Sequence, residues 1–130
     1  MEREDVVHVL RRFRESLAPR GLILDLQVIP PDPVVERDGR AICEVDGGSL
    51  LARADAAAAA IDDLVATGRL IEEAVDDHDV LRHYSTGRVL VEDFATKERS
   101  LPADAIPGLE RIVLPLVVRE RCRLRRLRSA

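Results

Sequence analysis

The feature that most restricts this chain is the segment Leu22-Ile23-Leu24-Asp25-Leu26-Gln27-Val28-Ile29. It starts after Gly21 and runs into Pro30, Pro31 and Pro33, so residues that interrupt regular structure bound it on both sides. A run this short suits a strand better than a helix. Successive side chains of a strand point to opposite faces, so Leu22, Leu24, Leu26 and Val28 cover one face while Ile23 and Ile29 help cover the other. A strand apolar on both faces is expected inside a sheet with helices above and below it. The prolines forbid continued pairing beyond Ile29.

The rest of the chain supplies helices and strands in alternation. Val6, Val9, Leu10, Phe13 and Leu17 share one face at helical spacing, with Glu2, Glu4 and Asp5 in the first turn and Pro19 and Gly21 as the stop. Two short strands, around Val34–Arg37 and Ala41–Val45, are joined by Asp38-Gly39, a dipeptide that tolerates the positive φ of a type I′ turn. Asp46-Gly47-Gly48-Ser49 leads into a helix from about Leu50 to Thr67, with an alanine run of high propensity and Gly68 at its end. Leu70–Tyr84 fits helical spacing as well as a strand; a strand over Ile71–Tyr84 is preferred. A helix over Thr86–Thr96, capped by Ser85 or Thr86, follows, then a short helical turn over Pro102–Ile106. The closing strand runs from Leu116 to about Leu127. Val118, Cys122 and Leu124 lie on one face and Arg119, Arg121, Arg123 and Arg125 on the other. This order points to an α/β layered sheet.

Length and composition agree with one soluble domain over residues 1–130. Only Phe13, Phe94 and Tyr84 are aromatic, so the core must be aliphatic. No apolar run approaches the roughly 20 residues of a membrane span, and the charged N-terminus lacks a signal peptide's apolar stretch. Cys43 and Cys122 are too few for a disulfide framework, which makes a reducing, cytoplasmic location the expectation. The net charge of −4 conceals seven Arg against one Glu in residues 111–130. Overall acidity, and the lack of aromatic residues among those arginines, argue against nucleic acid as a partner.

Three segments together resemble class I S-adenosylmethionine-dependent methyltransferases. Leu17-Ala18-Pro19-Arg20-Gly21 is similar to the Leu-x-Pro-Gly-Gly turn before the fifth strand of that family, with Arg20 in place of a glycine. Val80-Leu81-Arg82-His83-Tyr84-Ser85 resembles the sixth strand and its exit, and Val118–Leu124 resembles the antiparallel seventh strand. The resemblance covers the C-terminal half of the family fold. It implies a partial Rossmann-like fold: a mixed sheet with an antiparallel C-terminal strand and helices packed on it. It also implies no bound cofactor for the isolated chain, because the glycine loop and acidic residue that hold S-adenosylmethionine belong to the missing half. A complementing half would restore that cofactor. The functional expectation is a methyltransferase-like fragment contributing a substrate side or a dimer surface; the alternative is a protein–protein interaction or small-molecule binding module.

Candidate site residues are few. His83 and Tyr84 precede a helix at an edge where the family binds substrate, and they are the expected substrate contacts. The hairpin segment Pro30–Cys43 is a candidate lid or interface. Asp46-Gly47-Gly48-Ser49 is a candidate anion cradle, though a plain turn with a helix cap is the simpler reading. Asp76-Asp77-His78-Asp79 is dense in hard ligands, yet alternation along a strand divides it, so no metal site is expected. His8 sits beside an apolar helical face. No catalytic nucleophile pattern is present. The arginine face of the closing strand is expected to pair with Glu72, Glu73 or Asp77 on a neighbouring strand. With the rest of the family sheet missing, Leu22–Ile29 becomes an edge. Its expected partner is a second copy of the chain, in a homodimer, or a separately encoded half.

Overall fold

The computed structural model describes residues 21–97 and 99–130. The first expected helix, around Val6–Leu17, lies outside them. Five strands, β1 (Leu22–Val28), β2 (Val34–Arg37), β3 (Arg40–Glu44), β4 (Leu70–Tyr84) and β5 (Leu116–Ser129), form one sheet. Three helices accompany them: α1 (Gly48–Ala66), α2 (Gly87–Phe94) and α3 (Ile106–Glu110). The strand order is β1-β5-β2-β3, with β4 also on β5.

This corrects the expected fold. The sheet is antiparallel, not a mixed Rossmann-like sheet. β5 pairs antiparallel with β1 over Cys122–Arg128 and with β2 over Val117–Arg119, while β2 and β3 form an antiparallel hairpin. Along β4 and β5 the ion pairs fall in opposite order, Glu72 with Arg125, Asp77 with Arg123 and Asp79 with Arg119, as antiparallel neighbours require. The physical reason lies in β5. It is one 14-residue strand whose two ends serve different partners, so β1, β2 and β4 all join it and β3 follows through its hairpin with β2, without parallel crossovers.

Contacts divide the described residues into two compact units, each with its own core. The first holds β1, Ala52–His78 and Cys122–Ala130. There Ala57, Ala60, Ile61 and Leu64 of α1 close on Leu70 and Leu127, with Ile23 and Val65 packed alongside. The alanines let the helix backbone approach the strands closely. α1 ends in a Schellman arrangement: Gly68, at φ +73°, donates to the Val65 carbonyl (3.1 Å) and Arg69 to that of Leu64 (2.9 Å).

The second unit holds Ile29–Leu51 and Asp79–Arg121. Its core is Val35, Val45, Tyr84, Leu90, Phe94, Leu109, Leu116 and Val118. The hairpin turn at Asp38 and Gly39 has φ of 51° and 75°, both positive as type I′ geometry demands. The Thr86 side chain caps α2 by accepting from the Val89 amide at 3.3 Å. The final helical turn forms four residues later than expected, over α3, with Pro107 in its first turn.

Candidate interaction surface

β1 is an edge strand. Its one partner among the described residues is β5, in a register that sets Leu22 opposite Arg128 and Val28 opposite Cys122. Ile23 turns toward α1 and joins the core there. By alternation Leu22, Leu24 and Leu26 turn the other way, and they are 50%, 68% and 54% exposed. Three consecutive outward leucines on one strand form a patch, which single surface apolar residues do not.

Among the described residues the second backbone edge of β1 is unpaired as well. Ile29 donates its amide to the Arg121 carbonyl at 2.8 Å, one rung beyond β1. In an antiparallel ladder the residues that bond to the partner alternate. Gln27, Asp25 and Ile23 therefore bond to β5, while Leu22, Leu24, Leu26 and Val28 direct their N–H and C=O groups to the free side.

β4 handles its exposure differently. Glu72, Glu73, Asp76, Asp77 and Asp79 stud it with charge, which blunts an edge against foreign strands. Several of these acids meet the arginines of β5, as the sequence reading expected. In the first unit Arg123 donates to Asp77 (2.8 and 3.0 Å) and Arg125 to Glu72 (2.7 Å), with Asp62 of α1 at 2.8 Å; Glu73 lies 3.6 Å from Arg126 and 3.8 Å from Arg128. In the second unit Arg119 bridges Glu36 (2.8 Å) and Asp79 (3.0 Å), and Arg121 reaches Asp79 (3.2 Å). Bonds from two guanidinium groups hold the Asp79 carboxyl below its ordinary range. On β1, Asp25 is the one charged side chain.

The second unit also buries charge. Glu120 (2% exposed) forms an ion pair with Arg99 (3% exposed), and Arg82 stands 3.4 Å from the same carboxylate oxygen. The Arg99 guanidinium lies over the Phe94 ring, 5.0 Å from its centre, and Tyr84 meets that ring edge-on at 6.1 Å. The Tyr84 hydroxyl donates to Asp93 at 2.6 Å. Burial, then the bond to Asp93, pushes the Tyr84 phenol up to about 12, while the same bond draws the Asp93 carboxyl down. A cleft of about 280 Å³ is lined by Val91, Phe94, Lys97, Arg99 and Leu101 among others. Nothing in the sequence marked Arg99 and Glu120 as partners, because they lie on separate elements and charged residues are rarely buried.

Of the residues singled out from sequence, Tyr84 is buried in the core of the second unit and His83, its neighbour on β4, is exposed. In the Asp46–Ser49 loop, Gly47 donates its amide to Asp32 (3.2 Å) and Gly48 to Asp46 (2.9 Å), so two of the candidate cradle's donors already have acceptors. The acidic run is divided: Asp77 and Asp79 face arginines, and Asp76 lies 3.0 Å from His78. The segment Pro30–Cys43 supplies β2 and β3. Cys122 is buried as expected, Cys43 is half-buried, and neither forms a disulfide. His8 lies outside the described residues. Among those residues no helix is long and apolar enough to cross a membrane.

No protein-family model, curated protein or solved structure matches this chain.

Proposed function

We propose that this chain is an interaction module that assembles with a second copy of itself through β1. The observation that carries the reading is the pairing of two exposures on one strand. The residues whose backbone groups face the free side of β1 are also those whose leucine side chains stand in water. Proteins seldom leave such an edge bare. Among the edge strands, β4 sets five carboxylates between its exposed Ile71, Val75 and Leu81, and β3 exposes Ile42 as its one large apolar residue, whereas β1 carries one carboxylate beside three exposed leucines, so β1 is the edge most open to addition. A second copy is the favoured occupant because closed two-fold assemblies are the commonest, and an antiparallel strand pair has that symmetry.

The surface is small. Half-exposed leucines along about 24 Å of strand put such an interface at the low end of size for specific complexes, where weak, transient association is the rule, and a dissociation constant on the order of micromolar is the value to test. The test is sedimentation of the full chain over a concentration series. A monomer–dimer equilibrium in the micromolar range, abolished by Leu24→Glu with the circular dichroism spectrum unchanged, supports the reading. A monomer at every concentration refutes it, and a monomer that gains mass only when a separately encoded protein is added assigns the edge to that protein instead.

A further inference from the structure

Resting on that reading, we infer the register of the dimer: two β1 strands pair antiparallel about an axis at Leu26, which sets Asp25 of each copy beside Gln27 of the other. The leucines of both copies share a face only when residues of equal parity stand opposite one another. Three central registers satisfy this, with the axis at Leu24, Asp25 or Leu26.

The axis at Asp25 gives the longest overlap, but it places the two Asp25 carboxylates directly opposite each other. Their rung is of the non-hydrogen-bonded kind, because Asp25 spends its backbone bonds on β5, and in such rungs side chains are closest. Like charges directly opposite are destabilising. The axis at Leu24 sets each Asp25 against Ile23, a carboxylate against a hydrocarbon with no donor.

The axis at Leu26 sets each Asp25 against Gln27. Within one chain Gln27 Nε2 already donates to Asp25 Oδ1 at 2.9 Å, so this amide and this carboxylate are matched as donor and acceptor. A primary amide has two N–H groups, so each Gln27 keeps one donor for the carboxylate across the two-fold. The same register pairs Leu24 with Val28 and Leu26 with Leu26 through the outward backbone groups, extending one apolar row across both copies.

Disulfide trapping reads the axis directly. Residues opposite each other in a hydrogen-bonded rung have Cα atoms about 5.5 Å apart, within reach of a disulfide. Leu26→Cys alone, Leu24→Cys alone and an equimolar mixture of the two are oxidised mildly, with the wild type as control for Cys43 and Cys122. The Leu26 axis yields a covalent dimer from Leu26→Cys alone. A covalent dimer from Leu24→Cys alone, or only from the mixture, overturns the register while leaving the dimer in place. Absence of a dimer by sedimentation overturns both. As a second readout, Gln27→Glu is expected to raise the dissociation constant about tenfold, and Asp25→Asn added to it to restore the affinity. A Gln27→Glu dimer as tight as wild type contradicts the register.

Discussion

Tyr84 is the chain's one tyrosine, and there is no tryptophan, so the ultraviolet absorbance of its phenolate is a reporter with a single source. Folded protein is expected to ionise near 12, and Asp93→Asn to move the midpoint down toward the ordinary value without reaching it, since burial is the larger cause. A folded phenol that titrates at about 10 contradicts the geometry. The sign for stability follows. A folded pKa above the unfolded one contributes stability that is complete below about pH 10 and lost as pH rises through 12. Asp93 and Asp79 act in the opposite sense: their folded values are lowered, so their contribution is present above about pH 4 and lost as pH falls through the folded values. Glu120 is the sharper case. Glu120→Gln removes the carboxylate from a buried arginine pair, and unfolding in denaturant is expected to show a loss of about 3–5 kcal/mol. A loss under 1 kcal/mol would mean that the pair is not buried in solution.

At the scale of elements, α2 begins where only glycine fits. A Cβ on Gly87 would stand 1.7 Å from the Leu109 carbonyl oxygen, and the Gly87 amide donates to Ile112 at 2.8 Å. Gly87→Ala must part α2 from α3, and chemical denaturation is expected to show a loss of about 1–3 kcal/mol or more; an unchanged midpoint contradicts this contact. Much at this scale was legible in the sequence. Asp38-Gly39 fixed its hairpin and Gly68 its helix end, each through a positive φ. The Leu70–Tyr84 ambiguity resolves to a strand, and the opposite charges on β4 and β5 did identify those strands as neighbours. Strand direction and order were not legible, because alternation reveals which way a side chain points and says nothing of which strand lies beside it. Ile29, which in sequence helps give Leu22–Ile29 a second apolar face, lies beyond β1. The second face of β1 is then Ile23, Asp25 and Gln27, one apolar contact for α1 beside two polar groups, as an edge strand can afford. Arg99 and Glu120 were illegible for a related reason: a buried ion pair has no local pattern.

For the molecule as a whole, β1 decides the state of assembly. The sequence exposed the problem of an apolar strand without enough neighbours, and the structure keeps the problem in altered form: among the described residues β1 has one partner strand, three leucines outward and an unpaired backbone edge. The expectation of a two-fold partner thereby no longer rests on a partial Rossmann-like sheet; it rests on the geometry of this edge. The most direct measurement is the solution mass of the full chain by light scattering at micromolar concentration. The expected mass lies between one and two chains of 14.5 kDa, rises toward two as concentration is raised above the dissociation constant, and stays at one in Leu24→Glu. A wild type that keeps the mass of one chain throughout contradicts it.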